Sequence, residues 1–135
     1  MVAHGIDDPH EIVAGPDGNL WFTNAGNDSI GRVTPEGVGS HFSGTGISSP
    51  SGIVVGPDGN LWFTNTGNDS IGRVTPDGVV SNFTGTGISF PVWIVVGPDA
   101  NLWFTNVGND SIGRVTPEGV VSNFTGTGID APVGI

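Results

Sequence analysis

The string Gly-Pro-Asp-Gly-Asn-Leu-Trp-Phe-Thr-Asn starts at Gly15 and at Gly56, and returns at Gly97 with Ala100 in place of its second glycine. Successive copies start 41 residues apart without drift. A strict period in the range of roughly 40–45 residues, built on short apolar runs, marks a stacked-repeat architecture such as propeller blades. Such a repeat cannot bury its apolar face alone and must stack on its neighbours. The period divides the chain into a lead-in over 1–10, three units over 11–51, 52–92 and 93–133, and a stub at 134–135.

The middle unit reads as four short strands. Ile53 to Gly56 is a β-branched run ended by the turn sequence Gly-Pro-Asp-Gly, with Pro57 presetting φ and Gly59 supplying a permissive backbone. Leu61 to Thr64 is aromatic and β-rich, and the turn Asn65 to Asp69 ends it. Ser70 to Thr75 and Val79 to Thr84 follow, joined by another Pro-Asp-Gly turn. Strands of four to six residues with tight connections make an antiparallel meander, and no segment has helical periodicity. Leu61 and Phe63 point to one side of the second strand and Trp62 to the other, so the sheet is expected to be buried on both faces. Radial stacking of blades supplies that burial. The fold class is all-β: three four-stranded antiparallel propeller blades, part of a larger or oligomerically closed ring.

Composition narrows the partners. There is no lysine, and the three cations are Arg32, Arg73 and Arg114, one per repeat, against thirteen carboxylates for a net charge of −10. Such a surface repels nucleic acid and anionic membranes. The absence of cysteine excludes disulfides and thiolate metal sites. No apolar run approaches the roughly 20 residues of a membrane span. Met1 to His10 lacks the basic-then-apolar layout of a signal peptide, and the compartment stays open.

In an up-and-down blade, the loop after strand two and the segment entering strand one lie at the same end. One rim therefore carries Asp28, Asp69 and Asp110 with the entering segments; the other carries Asp17, Asp58 and Asp99 with Glu36, Asp77 and Glu118. Most differences between copies fall in the entering segments: Asp7 to Glu11, Ser48 to Gly52, Ser89 to Trp93 and Asp130 to Gly134. First strands line the central channel, so these side chains ring one mouth of it. His10, Glu11 and the Asp7-Asp8 pair from one blade, with Phe90 and Trp93 from another, make a candidate small-ligand rim. Relaxed drift after duplication is the competing explanation. Each arginine follows a turn aspartate by four residues, which suggests a per-blade ion pair (Asp28 with Arg32) or a backbone clamp. Trp21, Trp62 and Trp103 are expected between blades. The Gly-Asn-Asp-Ser turns offer one carboxylate each, well short of a calcium shell.

The string running from Pro-x-x-Ile through GPDGNLWFTN to SIGRVTPDG resembles the repeat of the virginiamycin B (streptogramin) lyase family, and more distantly other NHL-type propellers. The resemblance covers essentially the whole chain. Family members have seven blades and open a cyclic depsipeptide by elimination, with a histidine base and a magnesium ion held by acidic residues. On that pattern His10 matches the histidine and Asp8 the acid two residues before it. The glutamate that closes the Trp-Phe-Thr-Glu segment is Asn24 here, and Asn65 and Asn106 in the other copies. Ser51 and Val92 replace the histidine elsewhere. The resemblance thus implies His10 as a catalytic base and Asp8 as a magnesium ligand if the chain is lyase-like, and no cofactor otherwise.

Closed propellers have about four to eight blades. Three blades leave two uncovered faces, and the expected partner is a second copy closing a six-bladed ring. Three functional readings follow. The first is a non-enzymatic binding or scaffold module with a small-molecule or peptide site at His10, Glu11, Asn24, Phe90 and Trp93. The second is a degenerate or oligomer-assembled lyase. The third is a truncated or engineered piece of a longer propeller.

Overall fold

The computed structural model describes residues 6–44, 46–126, 128–130, 132 and 134–135. Ala131 of the last entering segment and Val133, the expected end of the third unit, lie outside the described residues. Twelve strands form three separate four-stranded antiparallel sheets, and there is no helix among the described residues. Blade 1 is β1 (Pro9–Ala14), β2 (Leu20–Asn24), β3 (Ser29–Val33) and β4 (Gly39–Phe42). Blade 2 is β5 (Pro50–Val55), β6 (Leu61–Asn65), β7 (Ser70–Val74) and β8 (Val80–Phe83). Blade 3 is β9 (Pro91–Val96), β10 (Leu102–Asn106), β11 (Ser111–Val115) and β12 (Val121–Phe124). Each sheet is a meander in chain order, as expected. The first strands begin at the prolines, two residues before the frame drawn from the period.

The turns form for the reasons their residues give. Gly18 and Gly59 have φ of +81° and +79°, and Ala100 adopts the same left-handed conformation at +63°. The aspartate after each Gly-Pro folds back, its carboxylate accepting from the Asn19, Asn60 or Asn101 backbone N–H. Pairing of β2 with β3 sets Trp21 opposite Arg32, and the same register recurs in blades 2 and 3.

The core lies between blades. Trp21 and Ile30 of blade 1 pack with Ile53, Leu61, Phe63 and Val74 of blade 2. Trp62 and Ile71 of blade 2 pack in the same way with Ile94, Leu102, Phe104 and Val115 of blade 3. Both faces of blade 2 are therefore covered, as the Leu-Trp-Phe pattern requires. Trp21 and Trp62 are fully buried, whereas Trp103 is partly exposed, because no described blade follows it.

The arginines correct one expectation. Arg32 does not pair with Asp28; its Nη1 lies 3.5 Å from Asp17 Oδ2 and donates to the Pro76 carbonyl at 3.0 Å. Four residues of extended chain span about 13 Å, so Asp28 and Arg32 sit at opposite ends of β3. The backbone clamp is present: Arg32 holds the β7–β8 turn of blade 2, and Arg73 holds Pro117 of blade 3 at 3.2 Å. The guanidinium also lies over two rings, 5.3 Å from Trp21 and 5.1 Å from Phe42.

Candidate functional site

Every first strand carries a bulge at the place where the copies differ. Pro9 pairs with Asn24 but Ile12 with Phe22, so one extra residue is accommodated on β1 at His10 and Glu11. The same shift occurs at Ser51-Gly52 and at Val92-Trp93. A threonine hydroxyl fills each gap. Thr23 Oγ1 accepts from the Glu11 N–H and donates to the Ser51 carbonyl, and Thr64 does the same for Gly52 and Val92. Bulges re-aim side chains. Here they turn the variable residues toward the mouth.

The residue before each proline is held with positive φ: Asp8 at 51°, Ser49 at 45° and Phe90 at 48°. Aspartate tolerates that conformation, and phenylalanine does so at a cost of about 1–2 kcal/mol. The surroundings enforce it. The Phe90 N–H donates to Asp69 Oδ1 at 2.8 Å, and the Phe90 carbonyl accepts from Val107. The Ser49 N–H likewise donates to Asp28, which puts that turn aspartate on the rim of the entering segments, as the topology predicts.

Most of the candidate residues converge. Asp8, His10, Glu11, Phe90 and Trp93 line one open concavity of about 640 Å³. His10 Nε2 is 3.4 Å from Asp8 Oδ2, and both side chains are accessible. Phe90 and Trp93 are 51% and 40% exposed, which is high for large aromatics. Glu11 touches the cavity, but its Oε1 accepts the Ile53 N–H at 2.7 Å and so ties blade 1 to blade 2. Asn24 is apart from the rest. It is fully buried, accepts from the Asp7 N–H and donates to Ser29 Oγ, holding the entering segment against the blade. Thr66 also lines the cavity, with its hydroxyl donating to the Ser49 carbonyl. Its signal was present in the chain, because the position is Ala25, Thr66 and Val107 in the three copies.

Magnesium does not fit these residues. No group of three histidine, aspartate or glutamate side chains able to hold a metal occurs among the described residues. The Glu11 carboxylate accepts the Ile53 N–H and the Asn24 amide is held by the Asp7 N–H and the Ser29 hydroxyl, which leaves Asp8 with His10 in the concavity. Hard cations require more oxygen donors than that.

On the opposite rim the aspartate, tryptophan and arginine recur in all three blades. The Trp21, Trp62 and Trp103 indoles donate to Asp17, Asp58 and Asp99 at 2.8–2.9 Å. The Trp103 indole and the Asn101 amide hold Asp99 well below the ordinary carboxylate range, at about 2. At Asp17 and Asp58 partial burial pushes upward, and the tryptophan and asparagine hydrogen bonds outweigh it, so both are lowered.

The whole chain has relatives of known structure. The model of the virginiamycin B lyase family matches residues 2–135. A catalytically inactive histidine-to-alanine form of virginiamycin B lyase from Staphylococcus aureus, crystallised with quinupristin, superposes with a TM-score of 0.89 at 37% identity, over 94% of this chain and 44% of that one. A streptogramin B lyase structure gives 0.84 at 35% identity, over 92% and 43% of the two chains. A chain of the nidogen/laminin complex, at 18% identity and a TM-score of 0.77 over 97% of this chain and 52% of its own, shares the fold alone. No curated protein sequence matches. The chain spans less than half the length of the lyase structures it matches. With its whole repeat covered by the family model, the chain belongs to the virginiamycin B lyase family.

Proposed function

We propose that this chain is a non-enzymatic propeller module that binds a small or peptide ligand at the mouth on the entering-segment rim. One observation carries the reading. The Asp8–His10 pair and the exposed Phe90 and Trp93 meet over one concavity, at the repeat positions where otherwise matching blades diverge. About 640 Å³ lies within the range of small-molecule sites. Two accessible aromatics favour a ligand with flat apolar groups, and the imidazole and carboxylate add a donor and an acceptor for amides. A compact cyclic peptide has both features.

Quinupristin, which accompanies one of the related lyases, is the first probe. Calorimetric titration should show it binding to the chain, with binding lost in His10→Ala and in Trp93→Ala while both variants stay folded. Chromatography afterwards should recover it unchanged. Unchanged binding by His10→Ala removes His10 from the site.

The second reading is a degenerate or oligomer-assembled lyase, favoured by the 3.4 Å contact of His10 with Asp8, a base and carboxylate of the kind proton abstraction uses. In a ring-opening elimination the base removes a proton beside a carbonyl, the ester C–O bond breaks, and an alkene and a carboxylate form. No atoms are lost. Recovery of quinupristin at unchanged mass but altered retention is the result this second reading requires.

A further inference from the structure

The uncovered face of blade 1 is a largely apolar socket of about 360 Å³ lined by Ile6, Pro9, Ile12, Phe22 and Val33 together with His10 and Glu11. The repeat positions of the five apolar residues in blade 2 are Ile47, Pro50, Ile53, Phe63 and Val74, and there all five are buried. Trp21 and Ile30 of blade 1, with the flanking Val13 and Phe42, fill the blade 2 socket. In blade 3, Trp62 and Ile71 fill the equivalent one. Ile12 is 56% exposed where Ile53 is 2% exposed, so the blade 1 socket is the same structure without its occupant.

The chain also carries an unused occupant. Trp103 stacks on Phe124 at 5.4 Å, as Trp21 stacks on Phe42, and Phe124 is 40% exposed. Arg114 lies over both rings and beside Asp99 at 3.6 Å, repeating the arrangement around Arg32. We infer that the Trp103 face of blade 3 seats in the blade 1 socket of a second copy of this chain. The contact is head to tail, and two such junctions close a ring of six blades. Arg114 would then donate to the Pro35 carbonyl of the second copy, the repeat equivalent of the Pro76 and Pro117 carbonyls that Arg32 and Arg73 hold. Within the chain this contact occurs twice with the same chemistry, so a second copy presents the face that the socket is built to take. Two junctions of several hundred Å² on each side reach the scale of about 1,600 Å² that stable dimers bury.

His10 and Glu11 line both the socket and the mouth, so the contact is read without ligand, by light scattering. At micromolar concentration the chain should scatter at twice its 13.7 kDa. Ile12→Asp breaks the socket and Phe124→Asp the occupant, both at side chains exposed in one chain, and each alone should run as a monomer. An equimolar mixture of the two retains one intact junction and should return to twice the single-chain mass. A parent chain that stays at 13.7 kDa at all concentrations overturns the inference, as does a mixture that stays monomeric or a dimer indifferent to both substitutions.

Discussion

The two rims of the blade stack use the same backbone for opposite purposes. On the turn rim, Asp17, Trp21 and Arg32 recur as Asp58, Trp62 and Arg73 and again as Asp99, Trp103 and Arg114. Their carboxylates accept indole N–H groups, and in blades 1 and 2 the guanidinium reaches the next blade's backbone. On the entering-segment rim, the bulge position holds Glu11, Gly52 and Trp93, and the residue before the proline is Asp8, Ser49 and Phe90. There the side chains are accessible or strained. The repeated groups bind to one another and to the next blade, while most of the divergent ones, Asp8, Phe90 and Trp93 among them, stay open to the mouth.

Substitutions at five positions test that division, beginning with the largest effect. Trp62→Ala should remove about 3–5 kcal/mol of stability, because a fully buried indole leaves a cavity between blades 2 and 3. Trp93→Ala, on the other rim, should cost under about 0.5 kcal/mol, as exposed substitutions do. Urea midpoints of the two variants measure the contrast, and equal losses would erase it. Gly52→Ala comes next. A Cβ there would lie 2.7 Å from the Val92 carbonyl oxygen, so overpacking of about 1–3 kcal/mol is expected. That close approach confines blade 2 to glycine where blade 3 carries Trp93.

Asp58→Ala should cost about 1–2 kcal/mol by leaving the buried indole N–H of Trp62 without its acceptor. The turn-rim carboxylates also set a pH window. Their folded-state values are lowered, so their contribution is complete above the unfolded value of about 4 and is lost as pH falls toward the folded value, which is about 2 at Asp99. Unfolding midpoints measured from pH 6 to pH 2 should drop within that window, and less steeply in Asp58→Asn.

The last effect has the opposite sign. Phe90→Asn should stabilise by about 1 kcal/mol, since asparagine adopts positive φ more readily, while weakening quinupristin binding. A variant that gains stability while losing binding marks a residue kept for function.

The period and the turns were legible in the chain because their causes are local. Gly-Pro-Asp-Gly folds within four residues, and the Leu-Trp-Phe alternation says that both sheet faces are buried. Long-range partners were not. The four-residue spacing suggested Asp28 for Arg32, but in a strand that spacing separates them, and hairpin pairing brings Asp17 instead. Glu11 read as a ligand group because its acceptor role depends on Ile53, 42 residues away. Asn24 read as part of the mouth by family pattern, and burial beneath the entering segment gives it a structural role. His10, Asp8, Phe90 and Trp93 stood out because differences among copies need only the sequence to see, and the fold brings them to one concavity.

The most direct test of the division between rims converts the blade 3 entering segment into that of blade 2, with Phe90→Ser, Val92→Ser and Trp93→Gly together, and titrates quinupristin by calorimetry. The account predicts a folded chain that no longer binds, beside a parent that does. Equal binding by the two would contradict it, because the divergent rim would then carry no function.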